Sequence, residues 1–131
     1  MFTHDDILMP LAITVLIDTK VRDQEIAAFC GQAEGLIELL KLPPMSRAQL
    51  QQWFSDNRDA MGKSLTGPRR NTLVLRTLSK FKDELIMENM YDAMVQISVS
   101  DQEYRREESD LIKSAATLWG YDRPPIKVID N

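Results

Sequence analysis

Asp18-Thr19-Lys20-Val21-Arg22-Asp23-Gln24-Glu25 recurs, in pattern, as Asp101-Gln102-Glu103-Tyr104-Arg105-Arg106-Glu107-Glu108. Both stretches read Asp, two residues, an apolar or aromatic residue, Arg, two residues, Glu. Each follows an apolar segment and precedes an amphipathic one, as the turn of a helical hairpin would. Asp at the end of one helix can accept backbone N–H bonds inside a tight turn. Val21 and Tyr104 fall where a hydrophobic staple anchors the next helix, with Ile26 the matching partner for Val21. The closing Glu, three residues after the N-cap position, can reach back to a free amide there. The acids Asp23, Glu25, Glu107 and Glu108 face the positive end of the helix dipole. Arg22 and Arg105 are poor N-caps, and a role as counter-ions to Asp18 and Asp101, four residues back, accounts for them.

Outward from these turns the chain reads as six helices with almost no strand. The first covers about Thr3 to Ile17, with Pro10 either kinking it or sitting in the first turn of its main part. The second runs from Asp23 to Lys41, its apolar positions Ile26, Phe29, Ala33, Leu36, Ile37 and Leu40 recurring at three and four, and stops at Pro43-Pro44. The third starts with Ser46 as N-cap and ends at Thr66-Gly67-Pro68. The fourth spans Arg70 to Phe81. The fifth begins near Asp83 as N-cap, and the sixth runs from about Arg106 to Trp119, closed by Gly120. Gly31 and Gly35, four apart, suggest close helix packing. Trp53, Phe54, Phe81 and Trp119 read as core. The fold class is therefore all-α: a single-domain bundle over residues 1–121, built from two pseudo-symmetric hairpins (helices one–two and five–six) joined by helices three and four, with an extended tail over 122–131.

Composition bounds the function. The chain has 131 residues, enough for a self-sufficient core without a disulfide or metal staple. Its single cysteine, Cys30, excludes an intrachain disulfide and fits a reducing compartment. Met1 to Asp6 lacks the basic start of a signal peptide. The apolar run Ile7 to Ile17 falls short of the roughly 20 residues that a membrane span needs. The expected location is the cytoplasm. Net charge is −4, yet residues 60–82 hold Lys63, Arg69, Arg70, Arg76, Lys80 and Lys82 with no acid. That segment is either a solvated helix face or a surface that meets an acidic protein, a phosphate backbone or an anionic membrane, with Arg69-Arg70 as its exposed tip. The weakly acidic whole argues against non-specific nucleic-acid binding. Peripheral membrane association stays open, as do a monomer and a homodimer.

A helix, an acidic turn, a Glu seven residues after the Asp, and a second helix, all repeated near the end, resemble the TerB-like (tellurite-resistance protein B) family. The run from Met94 to Asp101 and on through Leu118-Trp119-Gly120-Tyr121 carries the likeness most closely, and it spans about Leu8 to Tyr121. The resemblance implies a helical domain with approximate two-fold symmetry, associated with tellurite resistance and with envelope or stress responses; a related domain opens a membrane-anchored co-chaperone. It carries Asp18, Glu25, Asp101 and Glu108 over as the acidic positions. This chain has Thr19 and Gln102 where the family usually has Gly, and Arg22 and Arg105 where an Asp or Ser cap is common.

Two functions follow as expectations. One is a non-enzymatic interaction or scaffold module with a protein partner, using the acidic turns or the basic segment. The alternative is a divalent-metal-binding or metal-responsive module using Asp18, Glu25, Asp101 and Glu108. Neither turn is an EF-hand loop, since Lys20 and Arg22 would take its third and fifth positions in the first copy. No cofactor is expected otherwise. Gly62-Lys63-Ser64 resembles the end of a phosphate-binding loop, but Asn57 stands where that loop needs Gly. His4 is the only histidine, so no triad or histidine metal site can form. No nucleophile–base pair is evident, and an enzyme is not expected.

Overall fold

The computed structural model describes residues 2–17, 20–100 and 105–121. It contains six helices: α1 (His4–Leu16), α2 (Asp23–Leu39), α3 (Arg47–Thr66), α4 (Arg70–Leu78), α5 (Glu84–Ser98) and α6 (Arg106–Trp119). No strand occurs among the described residues, only an isolated bridge at Arg105. The all-α expectation holds. Residues 122–131, read above as an extended tail, lie outside the described residues.

A helix apolar on every side belongs inside a bundle. In α1, every residue from Ile7 to Leu16 except Met9 is buried. Helices α2, α3, α4 and α5 all pack on it. Pro10 stands in the interior of this helix, not its first turn. The N–H that proline lacks is the one that would have met the Asp6 carbonyl. The buried Thr14 hydroxyl donates to the Pro10 carbonyl at 2.8 Å, so neither is left unsatisfied. Thr3 and Asp6 close the start of α1 as a capping box.

The repeat extends well beyond the two turns. The offset from Asp18 to Asp101 is 83 residues, and it also relates Asp23 and Arg106, the first residues of α2 and α6. Every buried residue of α5 falls on a buried residue of α1 at that offset: Met90 on Ile7, Ala93 on Pro10, Met94 on Leu11, Ile97 on Thr14 and Ser98 on Val15. In the second helices, Glu108, Ile112, Ala116 and Trp119 fall on Glu25, Phe29, Ala33 and Leu36, all buried. Ser109, Leu111 and Ala115 fall instead on the half-buried Ile26, Ala28 and Gln32, so the second helices share the register in part.

Helix ends depart from expectation in two places. The second helix stops at Leu39, two residues before Lys41. Lys41 itself adopts a left-handed backbone at φ 57°. Its N–H donates to the Glu38 carbonyl at 3.1 Å, and that of Leu42 to the Ile37 carbonyl at 3.0 Å. This is a Schellman closure, so the chain has already turned before Pro43 and Pro44 are reached. The fourth helix stops at Leu78, and Phe81 follows outside it. Phe81 is nonetheless buried, with ring centroids 5.2 Å from Phe2 and 6.3 Å from Trp119. Its tertiary contacts, not helical periodicity, hold it inward.

Two packing expectations need correction. Gly31 and Gly35 are exposed, and a Cβ on either would meet nothing within 4 Å, so they mediate no close helix approach. His4 begins α1, with Nε2 2.7 Å from the Pro43 carbonyl oxygen, which requires the Nε2–H form. Trp53 is half-buried, its indole N–H donating to Asp5 at 2.8 Å, whereas Phe54 and Trp119 are in the core. Cys30 is fully buried.

Candidate functional site

Two places carry the residues singled out from the sequence: the paired hairpin turns and the elbow between α3 and α4.

At the turns, both Arg22 and Arg105 take extended backbone at the N-cap position. A guanidinium has no acceptor, so an arginine N-cap cannot make its half of a capping box. The other half is made in both copies. Arg22 N–H donates to Glu25 Oε1 at 3.3 Å, and Arg105 N–H donates to Glu108 Oε1 at 3.2 Å. Both carboxylates are 0 % exposed. The Arg22 guanidinium lies 3.8 Å from Glu25 Oε1, which balances the buried charge there. Val21 and Ile26 are half-buried against the core, where a staple would place them. Asp18 and Asp101, the other members of the acidic set, lie outside the described residues, as do Thr19 and Tyr104. Among the described residues no group of three or more His, Cys, Asp or Glu side chains is arranged to hold a metal ion.

The basic segment divides on folding. Lys80 pairs with Asp6 at 3.1 Å, joining the α4–α5 link to the start of α1. The Thr3 backbone N–H, and after it Lys80, hold the Asp6 carboxyl below its usual value. Arg70 is half-buried at the first residue of α4, and Lys82 is exposed beyond its end. Arg69-Arg70 is thus exposed at Arg69 alone.

The remaining three cations meet. Lys63 in the last turn of α3, Arg69 at the N-cap of α4 and Arg76 near the end of α4 line one open groove of about 420 Å³. Ser64, Gly67, Pro68, Thr72 and Leu73 complete its walls. No acid lines it, and among the described residues none of these three cations enters an ion pair. Other cations are engaged: Arg47 with Glu34 at 2.7 Å, and Arg58 over the Phe54 ring at 5.6 Å. Gly67 fixes the elbow. A Cβ there would stand 3.3 Å from the Lys63 carbonyl oxygen, a tight contact with backbone, and 3.7 Å from that of Ser64, an ordinary one. Ser64 and Thr72, not anticipated as site residues, enter because α3 ends on one wall and α4 begins on the other. The Gly62-Lys63-Ser64 run lies within α3, not in a loop.

No family model, no curated protein and no solved structure matches this chain. No helix among the described residues is long and apolar enough to cross a membrane.

Proposed function

We propose that this chain is a non-catalytic, TerB-like helical module that docks an acidic segment of a partner protein in the groove between α3 and α4. The observation that carries this reading is the groove itself: Lys63, Arg69 and Arg76 in one lining that holds no acid, with no ion pair to any of the three among the described residues. An anion arriving in the groove would form new ion pairs with them. Lys80, by contrast, is paired with Asp6. The tellurite-resistance and stress or envelope setting comes from the resemblance of the repeated turns. Glu25 and Glu108 act as buried caps that set the entry angles of α2 and α6.

The non-catalytic part of the proposal rests on the one thiol and the one imidazole in the chain. Burial pushes the Cys30 thiol up, away from thiolate character. The His4 Nε2 is spent on a backbone carbonyl. Neither is set up as nucleophile or base.

Fluorescence anisotropy with a labelled glutamate-rich peptide tests the groove. Binding weakened at least tenfold by the Arg69→Glu and Arg76→Glu double variant, and unchanged by Lys82→Glu, is the expected result. Equal weakening by all three charge reversals would reduce the groove to a share of the general surface charge.

A further inference from the structure

We infer that the α3–α4 groove is a receptor for a phosphate monoester borne on a protein segment, a phosphoserine or phosphothreonine side chain. This rests on the reading of the groove as the contact surface and narrows it to one ligand chemistry.

Charge is the first reason. The lining supplies three cations and no acid. A carboxylate brings a single negative charge, whereas a phosphate monoester near pH 7 brings about −1.5 to −2 and three strong acceptor oxygens. Two of the three cations are arginines, whose planar forks match phosphate oxygens two at a time.

The second reason is the donor set around them. Ser64 and Thr72 line the same groove, and a hydroxyl is a donor to a phosphate oxygen. Helix α4 begins there with Arg69 as an N-cap that makes no side-chain bond to the helix, and with no acid in its first turn. Each of the other helices has a capping side chain, a first-turn acid or both. The amide end of α4 therefore adds positive potential to a groove already lined by cations.

The third reason is what the groove lacks. No aromatic side chain lines it, so a nucleotide base would find no ring to stack on. The exposed leucines Leu39, Leu75, Leu85 and Leu118 are absent from the lining, so no exposed apolar anchor for a lipid surface stands at the site. Pro68 and Leu73 are present, and give the residue beside a phosphorylated side chain an apolar surface to lie on.

The test is a titration of the isotope-labelled full chain, followed by amide chemical shifts. The probes are inorganic phosphate, the capped peptide Gly-Gly-phosphoserine-Gly-Gly, the same peptide with glutamate or with unmodified serine at the centre, and phosphatidylserine-containing vesicles. Inorganic phosphate and the phosphopeptide should move the same amides, within residues 63–76. The phosphopeptide should bind at least tenfold more tightly than its glutamate counterpart. Arg69→Gln and Arg76→Gln should each lower that affinity about tenfold while the melting temperature stays unchanged, and Lys82→Gln should leave it unaltered. Equal affinity for the glutamate and phosphoserine peptides would overturn phosphate recognition and leave the acidic-partner reading standing. No response at residues 63–76 to any peptide, the glutamate-rich one included, would overturn both. A response to vesicles without one to the phosphopeptide would replace the protein segment with a lipid surface and overturn the inference.

Discussion

Replacing Glu25 or Glu108 by alanine removes a fully buried carboxylate that accepts the N-cap amide of its own helix, at 3.3 Å and 3.2 Å respectively. A hydrogen bond to a charged acceptor contributes about 1.5–3 kcal/mol. Losing one buried methylene adds about 0.8 kcal/mol. The expected cost of either variant is then about 2.5–4 kcal/mol. A domain of 131 residues has an unfolding entropy near 0.28 kcal/mol/K, so the melting temperature should fall by about 9–14 °C. The isosteric Glu→Gln variants keep the acceptor and lose the charge, and about half that loss is expected. The two sites should respond alike, because the same bond is made in the same burial register. Thermal unfolding followed by circular dichroism is the assay. An alanine variant at either site that melts within about 2 °C of the parent would refute the capping account. So would calcium or magnesium at millimolar concentration, if it raised the melting temperature saturably. A cation at a hundred times its dissociation constant adds about 2.7 kcal/mol, or close to 10 °C here.

Three further outcomes follow from the helix ends and surfaces. Lys41→Gly should stabilise the protein by about 0.5–1 kcal/mol in denaturant unfolding, because Lys41 carries a left-handed backbone at φ 57° that glycine adopts freely. Gly31→Ala and Gly35→Ala should each add about 0.5–1 kcal/mol, since both are exposed in mid-helix with open space around them, and destabilisation would mean that a neighbour approaches there in solution. Asp6 has its carboxyl lowered from 3.8, so its contribution is present above that value and disappears as pH falls through the depressed folded value. Asp6→Asn keeps an acceptor for the Thr3 amide and loses the charge, so it should cost about 1 kcal/mol at most at pH 7, from the weakened cap bond and the lost Lys80 pair, and the gap to the parent should close in acid.

How much of this could be read from the residues depended on how local the cause was. The six helices, the Ser46 and Asp83 caps and the reach-back of Glu25 and Glu108 all rest on contacts within one turn of chain, and the sequence pattern carries those directly. The end of α2 was hidden because Lys41 offers no glycine signal; the turn is closed by backbone bonds to Glu38 and Ile37. Phe81 looked helical by spacing, but its place is decided by Phe2 and Trp119, which are distant in sequence. Gly31 and Gly35 had the spacing of a packing motif, and only the rotation of α2 that buries Phe29, Ala33, Leu36 and Ile37 shows that they face outward. The basic segment was visible as a run of charge. Which of its members would act together was not, because Lys80 is drawn to Asp6 across 74 positions, while Lys63, Arg69 and Arg76 are gathered by the α3–α4 elbow.

Hydrogen–deuterium exchange on the chain, alone and with a partner captured from its native host, tests most directly that the α3–α4 groove is the contact surface. The account predicts partner-dependent protection concentrated in residues 63–76, and its loss in the Arg69→Glu and Arg76→Glu double variant. Protection at the hairpin turns around Arg22 and Arg105, with residues 63–76 exchanging as in the free chain, would contradict it.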